Sequence, residues 1–133
     1  MSIARLASRL RACERGNATV EFALVTPMLL ALALAVLQLA LVLQVRTTLT
    51  AAAAEGARAA ALAGADLDAG QRRARALLDG NIAEGVVQSI EVQRERRGSA
   101  LLLAVRIDAR LPLLGMLGPT GMVVEGHAVQ EQA

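Results

Sequence analysis

Residues 22–45 read FALVTPMLLALALAVLQLALVLQV, a run of 24 residues without a charged side chain. A helix of that length is about 36 Å long, enough to cross a hydrocarbon core of about 30 Å with some tilt. The run is longer than the apolar part of a cleavable secretory signal, and it is apolar on every face. A chain of 133 residues with one aromatic side chain has too little material to bury it in a globular core. We therefore predict a membrane-spanning helix.

The charges on the two sides of this run predict its orientation. Residues 1–16, ahead of it, include one glutamate and four arginines: Glu14, Arg5, Arg9, Arg11 and Arg15. By the positive-inside rule the N-terminus lies in the cytoplasm and the C-terminal part is exported. This predicts a basic cytoplasmic leader over 1–16, a transmembrane helix over 17–46 and an exported region over 47–133.

The net positive charge of the chain comes from that leader. The net charge is +2 and the pI about 9.9, which by itself suggests a nucleic-acid ligand. The leader carries a net charge of +3, so the side chains of residues 17–133 carry −1. The compact basic group beyond it, Arg72, Arg73 and Arg75, is not interleaved with aromatic residues, so it predicts a solvated helix face. We expect no nucleic-acid binding.

Few residues are available for catalysis or metal binding. The chain has one cysteine, Cys13, and one histidine, His127. A metal cluster, or a nucleophile paired with a base, needs more such residues than the chain has. We expect His127 to be structural or exposed. The sequence predicts no catalytic residue, no metal site and no cofactor, and hence a protein that is not an enzyme.

The start of the apolar run carries a recognisable motif. Arg15-Gly16 is followed by Val20-Glu21-Phe22-Ala23-Leu24 and then by Pro27, and the stretch Ala54-Glu55-Gly56-Ala57-Arg58 follows the run. This order and spacing resemble the TadE-like minor pilins and pseudopilins of the tight-adherence (Flp) pilus, which carry a class III, type IV prepilin-like signal. The resemblance is specific from Arg15 to Gly64 and only general beyond.

The resemblance implies cleavage by a prepilin peptidase between Gly16 and Asn17, with Glu21 and Phe22 serving processing and assembly. The implied partners are that peptidase, an inner-membrane assembly platform, other pilin or pseudopilin subunits that contact the N-terminal helix, and membrane lipid. A glycine suits a cleavage site because it has no side chain and permits an extended backbone. Cleavage would leave a free amine on Asn17, one helical turn from Glu21.

Two residues of the run have competing interpretations. Glu21 either reaches into lipid headgroups or, in an assembly, pairs with the amine of a neighbouring subunit's Asn17, because a buried carboxylate needs a cation. Pro27 removes one backbone donor, so it either kinks the helix to aid exit from the membrane or is simply tolerated there.

The exported region begins with an alanine-rich stretch, residues 47–65, that predicts a continuation of the helix. Small residues recur at helical spacing, at Ala53, Ala57, Ala60 and Gly64. They indicate either a flat surface for a partner helix or plain helix propensity. A second, short helix should start at Asp68 as N-cap, with Gln71 completing a capping box, and stop at Gly80.

The remaining sequence alternates with a period of two, which predicts half-buried strands. The first strand surrounds Ile90 and Val92, and a charged turn should occupy residues 94–99. The second strand places Leu103, Val105, Ile107, Ala109 and Leu111 on one face. Pro112 should end it, a loop should contain Gly115, Gly118, Pro119 and Gly121, and the third strand should lie within residues 122–129. A helix ahead of the strands should cover their apolar face.

The predicted architecture is a membrane-anchored α+β protein: a long transmembrane helix continuing into an Ala-rich helix, a short helix and a small antiparallel sheet of about three strands. The predicted function is that of a minor pilin or pseudopilin in pilus assembly and adhesion, located in the bacterial inner membrane with its C-terminus outside. The alternative is an unprocessed single-pass accessory or scaffolding subunit of the inner membrane, which would keep its leader.

Overall fold

A computed structural model describes residues 3–62, 64, 66–111 and 120–130, with side chains from residue 17 onward. In chain order the elements are helix α1 (Ile3–Leu62), helix α2 (Leu67–Leu78) and strands β1 (Val87–Arg97), β2 (Ala100–Leu111) and β3 (Thr120–Gln130). The predicted α+β class, with one long apolar helix, one short helix and three strands, is confirmed. The chain divides into two compact units, residues 1–39 and 40–133. The first contains only helix α1.

Helix α1 extends without interruption over 60 residues. It includes Gly56 and ends at Leu62, followed by Gly64, whose φ of 69° lies in the left-handed region. That conformation terminates helices and is readily adopted by glycine. The predicted continuation of the apolar helix into the alanine-rich stretch is confirmed.

Helix α2 begins two residues earlier than the capping box suggested. Its N-cap is Asp66, whose carboxylate accepts a hydrogen bond from the backbone N–H of Asp68 at 3.0 Å. The prediction of Asp68 as the N-cap is therefore wrong: Asp68 lies in the first turn. Gln71 does not close a capping box, because its Nε2 donates to the carbonyl of Ile90 on β1 at 3.2 Å. The predicted stop is confirmed, with Asp79 as the C-cap before Gly80.

The three strands form one antiparallel sheet in the order β1-β2-β3. The charged turn predicted over residues 94–99 is wrong in extent, because β1 continues to Arg97 and the turn consists of Gly98 and Ser99. Gly98 has a φ of 65°, a value that suits a tight hairpin. Gly121, expected in a loop, lies in β3. The predictions for Pro112, Gly115, Gly118 and Pro119 fall outside the described residues.

The alternation in β2 correctly predicted the inner face of the sheet. The five residues assigned to that face are all buried: Leu103, Val105, Ile107, Ala109 and Leu111. Helix α1 and helix α2 together cover this face, and their buried contributions are Leu49, Ala52, Ala53, Ala57, Ala60, Ala74 and Leu78. The predicted cover by preceding helical structure is confirmed.

The small-residue face of α1 is buried inside the second unit, residues 40–133. Ala53, Ala57 and Ala60 are all 0% exposed. A Cβ added at Gly56 would lie 2.9 Å from the Gly70 carbonyl oxygen of α2, so the two helices touch backbone to backbone. These alanines therefore do form a surface for close packing, but its occupants are the chain's own sheet and helix α2 rather than a separate partner.

Candidate functional site on the N-terminal helix

The residues that the sequence singles out lie together near the start of the apolar part of α1. The backbone at Gly16 and Asn17 is helical, since α1 begins at Ile3 and does not break before Leu62. An extended backbone before the helix, which the glycine was expected to permit, is therefore not the conformation found. In this state the proposed scissile bond is enclosed in a hydrogen-bonded helix.

Glu21 is exposed and lies four residues after Asn17. That spacing places both side chains on the same side of the helix, one turn apart. Among the described side chains, from residue 17 onward, the Glu21 carboxylate forms no ion pair. The arrangement presents a carboxylate at the N-terminal end of an otherwise apolar surface.

Phe22 follows Glu21 and is 73% exposed. Its carbonyl oxygen accepts a hydrogen bond from the Thr26 hydroxyl at 2.7 Å. The next residue, Pro27, lies inside the helix and has no backbone N–H, so the Ala23 carbonyl loses its usual donor. The helix continues through this position, and the kink stays a prediction.

The apolar side chains that follow are exposed around the whole helix. They are 45–74% exposed: Leu24, Val25, Met28, Leu29, Leu30, Leu32, Leu34, Val36, Leu37, Leu39, Leu41 and Leu43. The segment within Asn17–Leu62 is long and apolar enough to cross a membrane. Exposure of this much apolar surface requires lipid or protein around it.

The apolar surface ends at a group of threonines. The hydroxyls of Thr47 and Thr48 donate to the Gln44 carbonyl at 2.8 Å and 3.0 Å, and that of Thr50 donates to the Arg46 carbonyl at 2.8 Å. Buried packing begins in the same turns, at Leu49. The residues after Arg46 therefore belong to the packed part of the second unit, residues 40–133.

The other side chains considered from the sequence lie on exposed surfaces. Arg72, Arg73 and Arg75 are exposed on α2, and Arg72 contacts Asp66 at 3.6 Å. His127 is exposed on the outer face of the sheet. No group of three or more potential metal ligands occurs among the described residues.

The sequence did not predict two features of β3. Gly126 lies against the backbone of α1, and Val123 and Val129 remain 50% and 58% exposed on the outer face. The alternation of β3 could have identified the exposed valines, since both fall on the same side of the strand as its polar residues. Nothing in the sequence around Gly126 identified its contact, because a glycine in a strand can equally mark a bulge.

The comparisons with known proteins concern the N-terminal part of the chain. No curated protein and no solved structure matches the chain. The model of the family described as TadE-like protein matches residues 16–58, about a third of the chain. The match begins at the proposed cleavage glycine and ends at Arg58 in α1, and the sheet lies outside it. The segment of residues 16–58 is therefore TadE-like, and the resemblance seen in its motifs is confirmed over that length.

Proposed function

We propose that this protein is a minor pilin or pseudopilin-like component of a tight-adherence (Flp) pilus or a related secretion apparatus. The family match associates the chain with the Tad pilus. The observation that carries the proposal is the sequence Gly16-Asn17-Ala18-Thr19-Val20-Glu21-Phe22 at the start of an exposed apolar helix. In this proposal a prepilin peptidase cuts the bond after Gly16, and the protein then acts in pilus assembly and adhesion.

The exposed carboxylate of Glu21 supports a role in assembly. In the membrane it can reach the headgroups, where a charge costs little. In a bundle of subunit helices it would be buried, and a buried unpaired carboxylate costs several kcal/mol. Cleavage creates the cation that would pair with it, because the new amine of a neighbouring subunit's Asn17 is positively charged at neutral pH. Glu21 would then select the axial position of each added subunit.

The proposed location is the bacterial inner membrane, with the leader in the cytoplasm and the sheet outside. The charges flanking the span support this orientation, since four arginines precede it and Arg46 alone follows at close range. The leader would hold the Gly16–Asn17 bond at the cytoplasmic surface. The proposed partners are the peptidase, an inner-membrane assembly platform and other pilin or pseudopilin subunits.

One observation favours a second candidate function. The bond between Gly16 and Asn17 is helical, and a protease acting there must first unwind the surrounding turns. A chain that is never unwound would keep its leader and act as a single-pass accessory or scaffolding subunit of the inner membrane. Gly16 reduces the cost of unwinding, because glycine is about 1 kcal/mol less favourable than alanine inside a helix.

The N-terminal residue of the protein recovered from membranes decides between the two functions. We expect Asn17, with the leader removed. The variant Gly16→Val should keep the leader, because its branched side chain fills a cleavage position that suits a residue without a side chain. The matched control Ala12→Val, inside the leader, should be processed normally. An intact Met1 in the wild-type protein of piliated cells would establish the accessory subunit instead.

A further inference from the structure

Strand β3 forms one edge of the sheet, and no other element described by the structure pairs with its outer side. It has 11 residues and contains no lysine, arginine or proline. Its register with β2 is regular from Leu101↔Gln130 to Leu111↔Thr120, without a bulge. Among the described residues its backbone hydrogen bonds go to β2 alone. A long, regular edge of this kind is a template for an added strand.

The opposite edge, at β1, carries the protections that β3 lacks. Helix α2 packs beside it, and Gln71 donates a hydrogen bond to the Ile90 carbonyl. The register is irregular between Val87 and Ser89. Arg94 pairs with buried Leu103, so this charged residue lies on the helix-covered face of the edge strand. Charges, bulges and covering elements are the devices that block edge pairing.

The apolar surface of the exported unit is concentrated on the same unprotected strand. Beyond α1, the large apolar side chains that stay exposed in the described residues are Val123 and Val129. Both lie on the outer face of β3, since they alternate with the buried residues Val124 and Gly126. An added strand would cover these valines together with the free backbone groups.

The charges across the sheet specify the residue that should face Glu125. One row runs Glu91, Arg106, Glu125 across the three strands, and Arg106 Nη1 lies 3.8 Å from Glu125 Oε1. Charge alternates along this row, so a cation is favoured in the next position. On the added strand, the positions that face Val123 and Val129 should be apolar.

A second copy of this chain does not suit the position. Antiparallel pairing of two β3 strands places a two-fold axis normal to the sheet. Since α1 packs along the sheet from Leu49 to Ala60, that axis would point the two helices in opposite directions, against a common membrane orientation. Pairing of β3 with β1 of another copy is opposed at β1, where Gln71 of α2 already donates to the Ile90 carbonyl and the register is irregular between Val87 and Ser89.

We propose that the outer edge of β3 binds an extended segment of a different exported subunit by β-strand addition. Backbone hydrogen bonds would supply affinity. Specificity would come from an arginine or lysine opposite Glu125, with apolar residues two positions away on one side and four on the other, opposite Val123 and Val129. The proposal rests on the exported location given by the proposed function.

A photo-crosslinking residue at Val129 of the full-length chain, in cells that produce pili, tests this proposal. The matched site is Gln93, exposed on the outer face of β1. We expect Val129 to crosslink to an extended segment of another exported subunit with the specified cation and apolar residues, and Gln93 not to. Replacing that cation by glutamate should reduce the yield, and combining it with Glu125→Arg should restore it.

Two variants separate strand addition from chance proximity. Val123→Lys should reduce the Val129 crosslink to the level of Gln93, because a lysine on an edge strand opposes pairing. The sheet itself should tolerate the added charge, since Asp108 of β2 lies opposite residue 123. Glu125→Gln should reduce the yield about two- to fivefold without adding repulsion. Thermal unfolding of both variants checks that the sheet is intact.

Crosslinks only to lipid or to a second copy, a captured segment without the cation, or a yield unchanged by Val123→Lys in a folded protein would overturn the proposal. Its failure is distinct from failure of the proposed function. The N-terminal residue reports on processing, and the Val129 crosslink reports on strand addition in either case.

Discussion

Gly126 of β3 lies directly against the backbone of Ala53 in α1, with no side chain between the strand and the helix. A Cβ atom at Gly126 would lie 2.5 Å from the Ala54 nitrogen and 2.7 Å from the Ala53 carbonyl oxygen. These are backbone atoms of a packed helix, so they cannot move aside as a flexible side chain would. The helix that continues from the span is thereby held against the edge strand of the sheet.

We predict that Gly126→Ala destabilises the unit of residues 40–133 by about 1–3 kcal/mol, the usual cost of overpacking. The measurement is urea or thermal unfolding of the full-length chain in detergent micelles. Gly121→Ala is the matched control on the same strand, because a Cβ there meets no atom within 4 Å. Equal stability of the two variants would show that α1 and β3 are not in contact.

The contact between α1 and α2 predicts a stability change for Gly70→Ala that is opposite in sign to the one expected from helix propensity. A Cβ at Gly70 would lie 2.8 Å from Ala60 Cβ and 2.9 Å from the Gly56 carbonyl oxygen. Propensity alone would make Gly70→Ala stabilising by about 1 kcal/mol. We expect it to be destabilising by about 1–2 kcal/mol in the same unfolding measurement, because overpacking outweighs that gain.

A control for propensity is Ala76→Gly on the exposed side of α2. It should cost about 1 kcal/mol, which shows that the helix responds normally to glycine. If Gly70→Ala raised the midpoint by as much as Ala76→Gly lowered it, the close packing of the two helices would be refuted.

The N-cap of α2 is Asp66, two residues before the Asp68 that the capping box predicted. Asp66→Ala should lower the free energy of unfolding by about 1 kcal/mol, since it removes the acceptor for the Asp68 N–H. Asp66→Asn should keep most of the stability, because asparagine is also a good N-cap. Asp68→Ala, its matched control, should cost less in the same unfolding curve. The reverse order would restore Asp68 as the cap.

The sequence predicted the elements that depend on local patterns. Ile107 and its neighbours in β2 were assigned to the buried face because a period of two can be read without knowing the partner strands. The helix start was misplaced because Asp66 and Asp68 both precede the same helical pattern, and Gln71 bonds to a residue 19 positions away. A capping box is local, and a tertiary hydrogen bond cannot be read from spacing.

The candidate site rests on a sequence motif, and the roles of its residues stay predictions. Gly16, Glu21 and Pro27 were identified by motif, and the family match supports the segment that contains them. The role of the small residues was not predictable, because Ala53 and Ala57 indicate only that something approaches closely. Which surface approaches depends on the sheet, where Gly126 lies 73 positions along the chain from Ala53.

Glu21 gives the prediction that bears most directly on assembly. Glu21→Ala should insert into the membrane as well as the wild type, because removing a charge at the edge of an apolar run does not oppose insertion. We expect its incorporation into sheared pili, or its co-purification with other pilin subunits, to be lost, since the amine of the neighbouring Asn17 would be buried without a partner. Glu55→Ala is the matched control on the same helix, where the carboxylate forms an exposed ion pair with Arg58 at 3.2 Å. Normal incorporation of Glu21→Ala, with Asn17 at its N-terminus, would assign Glu21 to the headgroups alone.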